Sequence, residues 1–333
     1  MKIGILAGGK SPEHEISIIT ALEVYEKLDK AYFLYLTKNN DLYYYKKPSL
    51  KRILANKGKL IHFRKKEVGN LTLDLIVLAN HGKFAEDGHI QALLDFYELP
   101  YIGSNMEASC LGMDKELSDL LLRHNNIKTV NKRTYFKGDY IDILNYPVII
   151  KPSRSGSSLG ISVVKKEEEL GKALNLAYLY DNKIIVEDYL ANATEYALAL
   201  YKTDDVYTSK IEKIKTESDF FNYNEKYKNR KKRNSKVFLT DSDKIKVLED
   251  IGKQIYKVFE LEGIIRIDFL EYNDKIYVNE INTIPGSLAS HLFEEFGTVL
   301  TNLITHKLYE VRRNIKGKEN VNEDIYDLIN KSK

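Results

Sequence analysis

The first hundred residues alternate short apolar strands with helices, and this alternation constrains the fold more than any other feature of the chain. Strands are predicted at residues 2–6, 31–37 and 75–79, and helices at 17–29 and 90–97. Such alternation is typical of a parallel, doubly wound α/β sheet. Ligands bind these sheets where strands end in loops, so we expect Gly8-Gly9 and Asn80-His81-Gly82 to face one site.

The chain has 333 residues, which is more than one hydrophobic core usually supports. The pattern changes near residue 104 to a small α+β region, and near residue 187 to longer strands. We therefore predict an amino-terminal α/β domain at residues 1–103, a central lobe at 104–186 and a carboxy-terminal lobe at 187–315. The last lobe would carry a lid loop at 215–236, and a polar, partly ordered tail would follow at 316–333.

Composition argues against several classes of protein. There is no uncharged apolar stretch long enough to span a bilayer, and the amino terminus lacks the features of a signal peptide. A net charge of +3 gives no general sign of a nucleic-acid partner, and a single cysteine excludes an internal disulfide. We expect a soluble, cytoplasmic protein that binds neither membrane nor nucleic acid. The basic run at 226–236 is a solvated loop, a nucleic-acid patch or a loop that attracts polyphosphate.

Residues 148–160 are predicted to form a buried strand that ends in Lys151, a loop of small hydroxyl and glycine residues, and a second strand. Small residues let backbone N–H groups approach phosphate oxygens, and Lys151 supplies positive charge. The loop lacks the spacing of a P-loop and the helix that follows one. Taken alone, the loop favours an ordinary glycine-rich hairpin.

Residues 263–270 and 276–286 are predicted to form adjacent strands that bring Asp268, Glu280 and Asn282 together. Two carboxylates and an amide provide the oxygen ligands that Mg²⁺ prefers, with nucleotide phosphates and water completing the site. Strand alternation places Arg266 on the face that carries Asp268. For Asp268 alone, a salt-bridged strand face is the simpler interpretation.

Further motifs accompany these two segments in the amino-terminal half and in the predicted lid. They are His14-Glu15-Ile16-Ser17, His81-Gly82 with Glu86-Asp87-Gly88, Met113-Asp114-Lys115 and Tyr223-Asn224-Glu225-Lys226-Tyr227. Together the motifs resemble those of the ATP-grasp enzymes, and more narrowly those of the D-alanine–D-alanine ligase family, over about residues 2–312. The resemblance implies a three-lobed ATP-grasp architecture, with ATP between the second and third lobes.

The resemblance also implies roles in binding ATP and metal. The residues expected to contact the nucleotide are Lys115, Lys151, Ser157, Ser158, Glu187, Asp188, Tyr189, Leu190, Glu195 and Lys226. Among them, Glu187 to Leu190 would follow the adenine and Glu195 would approach the ribose. The metal ligands would be Asp268, Glu280 and Asn282, holding two Mg²⁺ ions, with Mn²⁺ as an alternative.

For the amino-acid substrates, the family pattern assigns Glu15 to the ammonium group of the first D-alanine, with Ser157 and Tyr227 hydrogen-bonded to it. His81 would lie near the reacting carboxylate. Arg266 and the Gly286 backbone would stabilise developing negative charge. Ser290 and the Leu292 backbone are candidates for the second substrate, although residues 287–293 depart from the family's usual hydroxyl-rich pattern, and Ala85 stands where glycine is usual.

The implied activity is ATP-dependent ligation of two D-alanines through an acyl phosphate, which would supply a dipeptide for peptidoglycan, in a homodimer. A carboxylate is a poor electrophile, so phosphoryl transfer onto it requires concentrated positive charge and exclusion of water. D-Serine or D-lactate as the acceptor is the nearest alternative. The sequence lacks the full glycine fingerprint of a nicotinamide-dependent dehydrogenase. A non-catalytic nucleotide-binding protein would not need Arg266 with three metal ligands.

Overall fold

The computed structural model describes residues 2–28, 30–143, 145–214 and 236–331, and their side chains as far as residue 313. The predicted lid at 215–236 therefore lies outside the described residues, apart from Lys236. Three sheets of four or more strands follow one another along the chain. Mixed α/β structure in several sheets agrees with the predicted fold class.

The first sheet occupies the amino-terminal hundred residues and has the order β4-β3-β2-β1-β7-β8. Its strands are β1 (Ile3–Gly8), β2 (Tyr32–Leu36), β3 (Leu42–Tyr45), β4 (Lys59–Ile61), β7 (Leu75–Leu78) and β8 (Tyr101–Ile102), and a separate small hairpin contains β5 (Phe63–Arg64) and β6 (Glu67–Val68). The helices are α1 (His14–Tyr25), α2 (Leu50–Leu54) and α3 (His89–Phe96). Strand β1 pairs in parallel with β2 and β7 and is buried throughout, as a central parallel strand should be. The sheet is not wholly parallel, because β3 and β4 add antiparallel strands at one edge.

The central sheet is antiparallel, with the order β11-β10-β12-β9. Its strands are β9 (Lys132–Phe136), β10 (Val148–Pro152), β11 (Ser162–Val164) and β12 (Lys183–Asp188). A 3₁₀ turn (Glu167–Glu169) leads into helix α6 (Leu170–Ala177), which packs Ala173 and Ala177 against this sheet.

The third sheet has the order β16-β15-β13-β17-β18, and β14 also pairs with β13. Its strands are β13 (Thr194–Lys202), β14 (Val206–Thr208), β15 (Glu212–Ile214), β16 (Val237–Phe238), β17 (Ile264–Tyr272) and β18 (Lys275–Asn282), and helix α7 (Ser242–Val258) packs on it. Helices α4 (Met106–Met113) and α5 (Lys115–His124) lie before the central sheet in sequence. Their side chains Ala108 and Leu122 nevertheless belong to the core of the third sheet. The predicted central lobe thus contains two helices that pack elsewhere.

Side-chain caps explain where three helices begin. Asn105 precedes α4 and accepts a hydrogen bond from the Ala108 amide. Asp114 precedes α5 and accepts from the amides of Glu116 and Leu117. Asp241 caps α7 in the same way. Each cap satisfies backbone N–H groups that the first turn of a helix leaves unpaired.

The chain returns to the first sheet at its end. A turn at Gly286–Leu292 precedes helix α8 (Phe296–Lys331), and Leu300 and Ile304 share one core cluster with Ile5 of β1. The backbone of residues 316–331, where a partly ordered tail was predicted, continues this helix. Of the helices in the described ranges, none is both long and apolar enough to cross a membrane.

Candidate active site

A cavity of about 650 Å³ brings together side chains from all three sheets. Nine residues predicted to act in binding or catalysis line it: His81, Ser157, Glu195, Arg266, Asp268, Glu280, Asn282, Gly286 and Ser290. They come from parts of the chain separated by as many as two hundred residues. The fold therefore collects nine of the twenty predicted site residues in one place, and their individual roles stay predictions.

Glu13 is one of the acidic residues that the first domain contributes to the cavity. It occupies the N-cap position of α1, its side chain is buried, and its carboxylate accepts a hydrogen bond from the Ser157 hydroxyl. Gly82, with a left-handed φ of 73°, lies so close that a Cβ atom there would collide with the carboxylate. This close approach explains why the residue after His81 is glycine.

The prediction that Glu15 binds the substrate ammonium was wrong in its position. Glu15 lies in the first turn of α1, its side chain is 58% exposed, and it forms an ion pair of 2.8 Å with Lys38. Residues two apart on a helix point in nearly opposite directions, so Glu13 faces the cavity while Glu15 faces solvent. The residue was missed because the helix was predicted to begin at residue 17, whereas α1 begins at His14, directly after Glu13.

Glu86 is a second carboxyl group in the cavity wall, and it was not assigned a role from the sequence. It accepts a hydrogen bond of 2.8 Å from the Gly82 amide. Burial raises the pKa of Glu86 well above its usual value, and the nearby carboxylate of Glu13 raises it further.

His81 is buried, and both of its ring nitrogens are bonded to protein. Nδ1 lies 2.9 Å from the Ile284 carbonyl oxygen, and Nε2 lies 2.8 Å from the Thr20 hydroxyl. Burial lowers the pKa of His81 to about 4, so the imidazole is neutral near pH 7. The ring holds the segment after β18 in place, and its predicted contact with substrate stays a prediction.

Strands β17 and β18 carry the predicted metal ligands on one face. Their register places Asp268 opposite Glu280 and Arg266 opposite Asn282. Arg266 binds both carboxylate oxygens of Asp268, at 2.6 and 2.7 Å, and the Asn282 amide donates to Asp268 at 3.2 Å.

This donor set suits a hard cation, because carboxylate and amide oxygens converge on one face. Among the described residues, no group of three or more histidine, cysteine, aspartate or glutamate side chains could hold a metal ion. Asp268, Glu280 and Asn282 would thus need further oxygen ligands, and nucleotide phosphates can provide them.

Lys115 connects the loop between β10 and β11 to this face. It is the first residue of α5, and its ammonium group lies 3.1 Å from Glu280 and donates to the Ser155 carbonyl at 2.8 Å. Asp114, just before it, accepts hydrogen bonds from the Ser153 hydroxyl and the Lys183 ammonium. Within the loop, Ser157 and Ser158 both have left-handed backbones, with φ of 54° and 57°.

A chain of buried charges lies at the predicted adenine end. Lys151 binds one Glu187 oxygen at 3.0 Å, and Lys132 lies 3.2 Å from the other oxygen and 3.5 Å from Asp119. Although burial alone would raise it, the two lysines hold the pKa of Glu187 below its usual value. Lys132 was not found from the sequence, since no motif contains it.

The other residues predicted to bind the nucleotide differ in whether they line the cavity. Asp188, Tyr189 and Leu190 follow Glu187 at the end of β12 and do not line the cavity. Glu195 does line it, from β13. Lys226 and Tyr227 lie outside the described residues.

The 286–292 turn forms another part of the cavity wall. Ser290 and His291 line the cavity, and His291 forms a bond of 2.9 Å with Glu212 of β15. The Leu292 side chain is buried with Ala199 and Ala289, away from the cavity, so the prediction for Leu292 concerns its backbone alone. His291 was missed because residues 287–293 do not follow the usual pattern.

Two family models match most of the chain. The model of the D-ala D-ala ligase N-terminus matches residues 2–104, and that of the D-ala D-ala ligase C-terminus matches residues 120–308. The D-alanine–D-alanine ligase of Thermosipho africanus is 34% identical over 365 residues, covering 98% of this chain and 99% of the relative.

Two solved structures show the same fold. The D-alanine–D-alanine ligase from Helicobacter pylori superposes with a TM-score of 0.80 at 31% identity, covering 92% of this chain and 98% of that one. The VanG D-Ala:D-Ser ligase from Enterococcus faecalis gives a TM-score of 0.77 at 27% identity, covering 92% and 99%.

Proposed function

Because this chain belongs to the D-alanine–D-alanine ligase family, we propose that it joins two molecules of D-alanine into D-alanyl-D-alanine and converts ATP to ADP and phosphate. The observation that carries the proposal is the shared cavity. It sets the Glu13–Ser157 pair near Arg266, Asp268 and Glu280. The proposed ammonium site thus shares a cavity with Arg266 and with carboxylates that could hold Mg²⁺, and these cations would neutralise phosphate charge, as formation of an acyl phosphate requires.

ATP would bind between the central and third sheets. Lys115, Lys151 and the loop that contains Ser157 and Ser158 would contact the phosphates. Glu187 to Leu190 would follow the adenine, with Glu195 near the ribose. The position of Lys115 supports this assignment, since its ammonium group contacts both the loop and Glu280.

Asp268, Glu280 and Asn282 would hold two Mg²⁺ ions, or Mn²⁺ in their place. When bound, such ions neutralise negative charge on the phosphoryl group being transferred. The three side chains share one strand face, and Lys115 beside Glu280 adds a fixed positive charge.

The first D-alanine would place its ammonium group on the Glu13 carboxylate, which the Ser157 hydroxyl orients. Its carboxylate oxygen would attack the γ-phosphorus of ATP, forming a new P–O bond while the bond to ADP breaks. Arg266 and the Gly286 N–H would stabilise the charge that develops, consistent with their place in the cavity wall.

The second D-alanine would lose an ammonium proton and attack the acyl carbon, and phosphate would leave with the electron pair of the broken C–O bond. Ser290 and the Leu292 backbone are the proposed contacts for its carboxylate. Exclusion of water protects the acyl phosphate from hydrolysis, and Tyr227 and Lys226 are proposed to act from the lid. We further propose a cytoplasmic homodimer that supplies the dipeptide for peptidoglycan.

The decisive experiment measures phosphate release from ATP and Mg²⁺ with D-alanine, with L-alanine, and with D-alanine plus D-serine or D-lactate, and identifies products by mass. D-alanine-dependent release that yields D-alanyl-D-alanine is expected. A mixed product formed in preference to the dipeptide would move the proposal to another acceptor. No D-alanine-dependent release at all would overturn it.

A further inference from the structure

Thr20 is a buried hydroxyl that joins distant parts of the chain. It lies on α1 and is 1% exposed. The Ser287 amide, 267 residues away, donates to its Oγ at 3.1 Å, and His81 Nε2 lies 2.8 Å from the same oxygen. On the other side of the imidazole, Nδ1 lies 2.9 Å from the Ile284 carbonyl oxygen. Three segments therefore meet at one hydroxyl and one ring.

The direction of each hydrogen bond follows from the chemistry of the groups. A carbonyl oxygen can only accept, so His81 Nδ1 carries the proton and donates to Ile284. The neutral ring then accepts at Nε2, and the Thr20 hydroxyl must donate to it. The Thr20 oxygen in turn accepts from Ser287. Every donor and acceptor in this series has a partner of the right kind.

This series of hydrogen bonds holds both ends of the segment from Ile284 to Ser287, which contains Gly286. The Leu288 amide closes the same turn on the Pro285 carbonyl at 2.8 Å. A Cβ atom added to Gly286 would meet nothing within 4 Å, and Gly286 lines the cavity. The turn is thus fixed at its ends and open where the Gly286 backbone faces the cavity.

The turn needs such support because its backbone is unusual. Ser287, Leu288 and Ala289 are consecutive non-glycine residues with left-handed φ of 53°, 46° and 51°. Each such residue is disfavoured relative to a right-handed one. Leu288 and Ala289 are buried, which supplies part of the compensation, and Thr20 fixes the first residue of the three.

We propose that Thr20 is a positioning residue for the ligase reaction, because it holds, together with His81, the turn that presents the Gly286 N–H to the developing negative charge. The inference rests on the proposed function, which assigns that role to Gly286. It adds a residue that touches neither substrate nor nucleotide and acts through the 284–287 segment.

The direct test is Thr20→Val, which keeps the size of the side chain and removes the hydroxyl. It leaves the Ser287 N–H and His81 Nε2 without their partner in a buried place. A turn displaced by a fraction of an ångström should lower kcat for dipeptide formation by about tenfold or more. The KM for ATP should change by less than about twofold, since the nucleotide contacts lie elsewhere.

Two further variants separate positioning from general stability. Thr20→Ser keeps the hydroxyl and should recover most of kcat. Thr129→Val is the matched control, because Thr129 is 9% exposed and its hydroxyl has no hydrogen-bond partner among the described residues. A similar loss of kcat in Thr129→Val and Thr20→Val would overturn the proposal.

Amide hydrogen exchange, followed by mass spectrometry, gives a readout that does not depend on activity. Thr20→Val should speed exchange in a peptide covering residues 284–292 and leave the β10 peptide unchanged. Faster exchange with wild-type kcat, or wild-type exchange at this segment, would overturn the proposal. If the wild-type protein forms no dipeptide, the proposed function fails, and with it the role in catalysis, while exchange still decides whether Thr20 holds the turn. Should Thr20→Val not fold, Thr20→Ala takes the same tests.

Discussion

The Ser157 hydroxyl donates a hydrogen bond to the Glu13 carboxylate across a sequence separation of 144 residues. Glu13 follows the central strand of the first sheet, and Ser157 lies in the loop between β10 and β11 of the central sheet. The bond crosses the cavity, so the proposed ammonium site is complete only when these two parts of the protein are together.

Glu13→Gln and Glu15→Gln form a matched pair that tests this site. Glu13→Gln removes a negative charge from a buried position, and we expect kcat/KM for D-alanine to fall by about 10- to 100-fold. Glu15→Gln breaks an exposed ion pair with Lys38 and should change kcat/KM for D-alanine by less than about twofold. Steady-state kinetics at saturating ATP measures both, and equal effects would contradict the placement of Glu13.

Glu280→Gln tests the proposed metal ligands. Loss of one charged ligand should raise the Mg²⁺ concentration needed for half-maximal activity by at least about tenfold. Glu271→Gln on β17 is the control, because Glu271 pairs with Lys244 outside the cavity and should leave the Mg²⁺ dependence unchanged. A Glu280 variant with the wild-type Mg²⁺ titration would remove this residue from the set.

Lys132→Met tests the buried charges beside the proposed adenine site. The change leaves Glu187, which is 2% exposed, with Lys151 as its remaining ion-pair partner. Breaking a buried pair should lower the free energy of unfolding by about 3–5 kcal/mol. Lys38→Met removes an exposed ion pair and should lower the free energy of unfolding by less than about 1 kcal/mol. Urea denaturation compares the two, and similar losses would contradict the role given to burial.

The neutral His81 predicts a pH dependence of stability. Its pKa is lowered to about 4 in the folded protein, against a value of 6.5 for the free side chain. The unfolded chain therefore binds a proton before the folded one does, so stability is lost as pH falls from 6.5 towards 4. The full loss is about 3 kcal/mol. Unfolding measured at pH 7, 6 and 5 should show the stability advantage over His81→Gln shrinking, and a constant difference would contradict it.

Local sequence patterns predicted the strands and helices well, but they predicted less well which of them pair or pack together. Strands β1, β2 and β7 and helices α1 and α3 appear within a few residues of the predicted positions. The alternation of side chains that reveals a strand says nothing about its pairing, so the antiparallel β3 and β4 were not expected at the sheet edge. For the same reason α4 and α5 were grouped with the sheet that follows them.

The site was predicted from sequence motifs. Residues outside the motifs that contact the motif residues were therefore missed. Arg266, Asp268, Glu280 and Asn282 were predicted because two adjacent strands carry them in a recognisable order. Thr20 and Lys132 were not, because each is an ordinary residue whose importance comes from a partner distant in sequence. The motif indicated only the region of the chain that contributes a carboxylate, so Glu15 was predicted in place of Glu13. Which of the two side chains faces the cavity depends on where helix α1 begins.

The distribution of apolar cores determines how the cavity can open. Strand β17 contributes Ile264 to the core of the first sheet and Ile265 and Ile267 to that of the third, so these two sheets are held as one body. The core of the central sheet is separate from both. Polar contacts link it to that body, including Glu13 with Ser157, Lys115 with Ser155 and Asp114 with Lys183. A swing of the central lobe would exchange these polar contacts for water and would leave the three apolar cores buried.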